Sequence, residues 1–357
     1  MSDFIVIGGG IAGISAAARL SHLGRVTLIE AEAQTGYHSS GRSAALFEET
    51  YGKPTTVALN TASRPFHEGA NGGVLSPRGL LLLGSADDRA AFAADLAHMG
   101  LEEISTDEAR ELVPILSDHA DRAGYHADAW DIDTELLMQN FLREMRGNGG
   151  TLMAASRVSA IAREGDGWRV ITPQGDVTAS ILVNAAGAWA DQVAAMAGVR
   201  TLGLQPMRRS MARLAAPGGH DLRGWPMMFG PGERWYAKPD AGALLVSPAE
   251  EEPVDPHDAY PDDMTLAEGL YRYQDYVTPE VTRPIATWAG LRTFAPDRQL
   301  VLGRAVDAPS FVWCAGQGGY GFQTAPAASA LIADVVAGRV PEIGADLARA
   351  LSPARFG

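Results

Sequence analysis

Cysteine occurs once, at Cys314, so an internal disulfide and a thiolate metal cluster are both excluded. No apolar run reaches the roughly 20 residues of a membrane span, and no basic leader or apolar signal core precedes the first strand-like run. Positive charge is in the minority: 29 Lys+Arg stand against 43 Asp+Glu, a formal charge of -14. That argues against a nucleic-acid partner, which needs a clustered basic face. It does not argue against an anionic small substrate, because a few arginines can reverse the field inside a cleft. Internal repeats and low-complexity linkers are lacking as well. The expectation is a cytoplasmic protein without an integral membrane segment, peripheral membrane contact being left open. Its 357 residues, 46% of them hydrophobic, suffice for a full core and two lobes.

What is present is organised around Asp3–Gly13. The apolar run Phe4–Ile7 reads as a buried strand, Gly8, Gly10 and Gly13 fall on the G-x-G-x-x-G spacing, and a helix through Ala16 and Leu20 leads to a second strand, Val26–Ile29, closed by Glu30. Glycines there let the backbone turn tightly, approach a pyrophosphate and pack the helix against the sheet. The helix N-terminus favours phosphate, and a carboxylate ending the second strand accepts hydrogen bonds from ribose hydroxyls. The pattern predicts a dinucleotide site and by itself does not separate FAD from NAD. The segment Ala31–Ala45 that follows is rich in small and hydroxyl residues. Its Ser39, Ser40, Arg42 and Ser43 offer donors to phosphate or ring oxygens, or form a polar turn leading into a helix.

Helical spacing marks Thr55–Glu68, Ala86–His98, Asp107–Leu112 and, after a capped start at Thr134, a helix to about Arg146. Leu80–Leu83 reads as a strand. Beyond Thr151 come the runs Val158–Ile161 and Trp168–Thr172, read as a hairpin. Ile181–Asn184 then returns to a buried strand ending in small residues, which would place its backbone beside the first glycine turn. Residues 202–293 alternate strand-like runs with Pro and Gly turns, as an antiparallel sheet does. Phe311–Ala315 is a last buried strand entering the loop Gly316–Gly321, with a helix from about Ala325 to Gly338. The fold class expected is α/β: a Rossmann-like domain from 1–50, 140–201 and 294–357, and a substrate domain built on an antiparallel sheet with helices from 51–139 and 202–293.

Taken together, the N-terminal dinucleotide fold, Gly41-Arg42-Ser43, Asn184–Trp189, Trp288–Arg292 and Gly318-Gly319-Tyr320-Gly321 resemble the D-amino acid oxidase family of FAD enzymes, nearly from end to end. Within that family the nearest likeness is to bacterial D-arginine dehydrogenases. The resemblance implies FAD as cofactor, with Gly8, Gly10, Ile11, Ala12, Gly13, Glu30 and Ala31 at its ADP half and Ser40, Arg42, Ser43, Ala44 and Ala45 toward the flavin. It implies Val158 beside the adenine, Ala186, Gly187, Trp189 and Gly290 along the cofactor, and Gly318, Gly319, Tyr320, Gly321, Gln323 and Thr324 beside the isoalloxazine. Covalent attachment in one branch uses a cysteine in a late loop; Cys314 falls within a strand, so FAD is expected to be non-covalent.

For the substrate, a small amino acid, the resemblance implies that Arg292 clamps the carboxylate, a role suited to a permanently charged guanidinium fork. Tyr236 and Tyr51 then border the substrate and Arg209 belongs to the same pocket. Arg209 in a surface ion pair, and Tyr51 or Tyr320 as plain core, are the alternatives. The sequence departs from D-arginine dehydrogenases at Leu80, where they carry an acid for the guanidinium, and at Leu46, where they carry a histidine. With Gly319 and Tyr320 on the same pocket, these leucines predict a preference for neutral or apolar D-amino acids, oxidised to 2-oxo acid and ammonia. Glu48 either receives a cationic substrate or faces solvent, and solvent is the reading preferred. Oxidation of a secondary amine such as sarcosine or proline, of a 2-hydroxy acid, an NAD-dependent dehydrogenase and a non-catalytic FAD-binding module are the other readings. The electron acceptor, whether oxygen, quinone or carrier, is not readable from sequence, and a dehydrogenase is favoured over an oxidase.

Overall fold

The computed structural model describes residues 2–281 and 283–357. Strand Ser2–Ile7, buried from Phe4 onward, pairs in parallel with Val26–Ile29 on one side and Gly175–Asn184 on the other. A strand covered on both faces has no place for polar alternation, which is why it reads as an unbroken apolar run. Helix Ile11–Leu20 connects the first pair, and its Ala16, Ala17 and Ala18 are fully buried. Small side chains let this helix lie close to Thr134–Gly147 and Gly321–Ala337. Phe311–Ala315 pairs in parallel with Gly175–Asn184, and Thr151–Met153 with Val26–Ile29. The result is an eight-stranded sheet whose central strands come from the beginning, the middle and the end of the chain.

At one edge, Ala160–Glu164 and Gly167–Thr172 form the expected hairpin across Gly165-Asp166. Gly165 takes a φ of +59° there, the left-handed conformation a two-residue turn demands. The helix after strand Phe311–Ala315 begins at Gly321 and runs through Pro326, earlier than the expected Ala325. Glycine and proline argue against a helix locally; here the packing of Phe322, Ala325 and Ala328 into the core outweighs them.

The second sheet has nine strands. Its centre is the long pair Gln205–Leu214 and Ala286–Phe294, in register from Gln205↔Phe294 to Arg213↔Ala286. The sheet is mixed rather than purely antiparallel, because Leu80–Gly84 lies parallel to Met227–Phe229, two runs joined by a long crossover. Directly opposed residues share a face of a sheet, and so do residues two apart. The pairings Arg209↔Gly290, Tyr236↔Ser247, Phe229↔Tyr236, Met227↔Leu80 and Leu80↔His126 therefore run along one face, and Arg292 joins it two residues beyond Gly290. A small three-stranded sheet, Leu46–Glu48, Ala129–Ile132 and Leu75–Pro77, faces this surface. No helix among the described residues is long and apolar enough to cross a membrane.

Candidate active site

A cleft of about 450 Å³ runs from the glycine turn to the arginine-bearing face of the second sheet. At its first end the backbone is packed too tightly for any residue but glycine. A Cβ on Gly13 would stand 1.8 Å from the Gly8 carbonyl oxygen, and one on Gly8 would stand 2.4 Å from that of Ala185. This second contact is the approach of strand Gly175–Asn184 to the first turn that the small residues after Asn184 foretell. Gly10 precedes helix Ile11–Leu20, whose first turn carries no acid, leaving its positive end open to an anion. Glu30 is buried, accepting hydrogen bonds from the backbone N–H of Gly9 at 2.6 Å and of Glu32 at 2.8 Å. These donors fix the carboxylate at the strand end, where it lines the cleft.

Ile11, Ala12, Ala31, Ser40, Arg42, Ser43, Ala44, Ala45, Val158, Ala186, Gly187, Trp189, Gly290, Gly318, Gly319, Gly321 and Gln323 also line it. Gly13, Tyr320 and Thr324 stand behind the wall: Gly13 packs helix to strand, and the Thr324 hydroxyl donates to the Tyr320 carbonyl at 2.8 Å. Arg42 lines the cleft, but its guanidinium is engaged elsewhere. It donates to the carbonyls of Tyr37, Ala259 and Ala289 and to Asp258. Together with Ser39 Oγ on the Leu291 carbonyl and Trp288 Nε1 on that of Arg42, this braces the loop Ser39–Arg42 against strand Ala286–Phe294. The cleft's length, its glycine cradle, the helix N-terminus and the buried ribose-type acid fit an FAD molecule.

A smaller cavity of about 100 Å³ adjoins the far end of the cleft, sharing Arg209, Tyr236 and Arg292 with it. Arg292 is half-buried and packs on Gly319, where an added Cβ would lie 3.0 Å from Nη1. Among the described residues no group accepts a hydrogen bond from its guanidinium and no carboxylate stands within ion-pair distance. Burial works against its charge, but Tyr236, Tyr51, Glu233 and Glu251 hold its pKa above the ordinary arginine value. Arg209 is buried rather than at the surface. Its Nε donates to the Glu250 carbonyl at 2.8 Å and its Nη2 lies 3.4 Å from Glu251; burial, then the charge of Arg292, lowers its pKa. Tyr236 is buried beneath it. The Tyr51 hydroxyl donates to Glu233 Oε2 at 3.0 Å and its ring lies 5.2 Å from that of Tyr320. Burial, followed by the Glu233 charge, raises the Tyr51 pKa, keeping the phenol neutral.

Leu46 and Leu80 both line the small cavity, with Met99, Met227 and Phe229. The solvent-facing reading of Glu48 is overturned: the residue is 3% exposed, lines the cavity, and sets Oε2 2.8 Å from His126 Nε2. Its burial follows from the three-stranded sheet, which turns Phe47 and Glu48 inward against neighbours far along the chain. Sequence reasoning also missed Met227, Phe229, Glu233 and His126. The alternation Met227-x-Phe229 before a glycine signals a strand with an apolar face, but neither the loop acid Glu233 nor His126 belongs to a motif. Cys314 is buried, its thiol pushed up to about 12 by burial, and it faces the Ala12 carbonyl from inside the strand.

Comparison with known proteins agrees with this geometry. Residues 3–335 match the family model described as DAO, FAD dependent oxidoreductase. Among curated proteins, glycine oxidase of Pseudomonas aeruginosa is 26% identical over 95% of this chain and 96% of its own length. A glycerol 3-phosphate dehydrogenase of Caloramator mitchellensis is 26% identical over 94% of this chain and 74% of its own. The L-proline dehydrogenase of P. horikoshii shares the fold with a TM-score of 0.83, at 23% identity over 99% of this chain and 97% of that one. The narrower likeness to D-arginine dehydrogenases is not carried by these relatives. The family match extends from the first strand through the last core helix, taking in both ends of the cleft, and the chain belongs to the DAO family of FAD-dependent oxidoreductases, with FAD bound non-covalently.

Proposed function

We propose that this chain oxidises D-amino acids with neutral or apolar side chains to 2-oxo acids and ammonia. The observation that carries the reading is Arg292: a cation without a protein partner among the described residues, facing a small, mostly apolar cavity at the end of the cofactor cleft. A guanidinium left unpaired in a folded interior wants an anion, and its planar fork suits a carboxylate in a bidentate pose. Arg209 adds positive field but is held back by Glu250 and Glu251. Tyr236 supports the same end of the substrate. Leu46, Leu80, Met99, Met227 and Phe229 then surround the side chain, and the two acids on the same wall are already engaged, Glu48 by Thr50 and His126 and Glu233 by Tyr51.

FAD, when bound, supplies the acceptor for a hydride leaving the substrate Cα. The chain's own part is positional: with the carboxylate held at Arg292, the Cα–H bond has one orientation relative to the cleft, and no side chain need abstract that hydrogen. The substrate amine must be neutral to release a hydride, so the rate rises with pH through an amine ionisation. The D-hand rests on the resemblance of the spaced motifs. A second reading, oxidation of a secondary amine, has the support of relatives named N-methyl-L-tryptophan oxidase and L-proline dehydrogenase.

The test is anaerobic bleaching of the bound flavin by D- and L-amino acids, sarcosine, proline and 2-hydroxy acids. Rapid bleaching by D-leucine, D-methionine or D-phenylalanine, faster than by D-arginine, is expected. Bleaching by proline or sarcosine alone supports the second reading. Admission of air then separates a dehydrogenase, which is favoured, from an oxidase.

A further inference from the structure

The proposed reaction leaves Glu48 and His126 without a task, yet their placement is specific. Glu48 is 3% exposed and lines the substrate cavity. Its Oε1 accepts from the Thr50 hydroxyl at 2.7 Å and its backbone N–H donates to Gln323. Its Oε2 has no hydrogen-bond partner among the described residues, although His126 Nε2 lies 2.8 Å away. His126 comes from the second sheet, opposite Leu80, and its side chain is partly exposed, two residues before the exposed Asp128. The two side chains thus form a bridge one residue wide on either side, from the cavity wall to solvent.

Resting on the amino-acid oxidation proposed above, we infer that the Glu48–His126 pair takes the proton a substrate ammonium must lose inside the cavity. The substrate N–H bond breaks and its electron pair stays on nitrogen. The proton passes to the Glu48 carboxylate while His126 releases one from its ring to solvent. The transfer takes the pair from carboxylate and imidazolium to carboxylic acid and imidazole, so it is neutral before and after. No net charge is created in a buried place, where it would be costly. After product leaves, Glu48 returns its proton to water and His126 takes one up.

The other charged and titratable groups around the pair do not compete for this task. On helix Pro54–Gly69, Arg64 is held by Glu49, Glu68 and Asp128. On the same helix, His67 is kept neutral by burial, its Nε2 meeting the Gln323 carbonyl. Across the cavity, Arg209 and Arg292 are cations and Tyr51 is locked to Glu233.

The experiment follows flavin reduction anaerobically by stopped flow across pH, in FAD-loaded wild type, Glu48→Gln, Glu48→Asp, His126→Gln and His126→Asn, with whichever panel substrate reduces wild type fastest. A relay predicts that Glu48→Gln and the His126 variants lose about tenfold or more near neutral pH and recover to within about threefold at alkaline pH, where the amine arrives neutral. Glu48→Asp keeps the carboxylate and keeps part of the neutral-pH rate. Rates equal to wild type at every pH overturn the relay, as does an equal loss at every pH, the mark of a packing role. Loss of flavin from Glu48→Gln leaves the two His126 variants to decide on the same criteria. A wild type reduced by no amine overturns the functional reading together with the relay, whereas a reduced wild type with unaffected variants overturns the relay alone.

Discussion

Tyr51 and Glu233, far apart in the chain, meet at the mouth of the small cavity, with the phenol donating to Glu233 Oε2 at 3.0 Å. Glu233 sits in the turn Pro231–Glu233, and the neighbouring Gly232 N–H is fixed on Asp95, so the loop presents the acid to Tyr51 rather than to Arg292. Replacing Tyr51 with phenylalanine frees that carboxylate to approach Arg292 and compete with the substrate carboxylate. The expected outcome is a KM raised about three- to tenfold with kcat changed less than threefold, read by steady-state kinetics.

Arg292→Met removes the one cavity cation that has no protein partner among the described residues. Binding and orientation share this contact, so kcat/KM should fall about 100-fold or more, roughly 2.7 kcal/mol of transition-state binding. Flavin content, read from visible absorbance, should stay near wild type. A loss below about threefold would place the carboxylate elsewhere.

Leu80→Glu restores an acid to the wall that receives the substrate side chain. Leu80 is 2% exposed, so an unpaired carboxylate there destabilises the resting protein by several kcal/mol unless it is protonated. A bound D-arginine would pair with it. The ratio of kcat/KM for D-arginine over D-leucine should rise about 100-fold, mostly through the loss of D-leucine activity, and melting temperature should drop in the absence of substrate.

Arg64 gathers Glu49, Glu68 and Asp128 at 2.8–3.0 Å. Its hydrogen bonds hold the carboxyls of Glu49 and Asp128 below their ordinary pKa. A depressed carboxylate stabilises the fold above the unfolded pKa and loses that contribution as pH falls through the folded one. Arg64→Met should therefore lower stability at pH 7 by about 1 kcal/mol or less, since these groups are solvent-screened. The difference in melting temperature from wild type should close as pH drops below the ordinary carboxylate range.

The cofactor end of the molecule is legible in sequence because its constraints are local. A glycine that must avoid a backbone oxygen, a helix N-terminus and an acid at a strand end lie within one stretch, Gly8–Glu30. The return of Gly175–Asn184 beside Gly8 is legible for the same reason, in the small residues that follow Asn184. The substrate end is assembled across sheets, and there the sequence is silent on partners. Glu48 looks like a surface acid until His126 is brought opposite it, and Arg42 looks like a phosphate ligand until Asp258 and three carbonyls claim its donors. Glu233 has no pattern around it beyond a turn, so its meeting with Tyr51 appears only in three dimensions.

The central sheet sets a timetable for biosynthesis. Strand Gly175–Asn184 lies between Ser2–Ile7 and Phe311–Ala315, and helix Gly321–Ala337 closes over the first helix. A nascent chain can form the early strand–helix–strand unit soon after leaving the ribosome, but its nucleotide cleft lacks a wall until helix Gly321–Ala337 has emerged. Until then the apolar faces of Ser2–Ile7 and Ile11–Leu20 remain uncovered, inviting chaperone contact or self-association. Flavin can therefore act as a folding template only for a nearly finished polypeptide, and truncations that remove this late segment should yield aggregates rather than a free-standing cofactor domain.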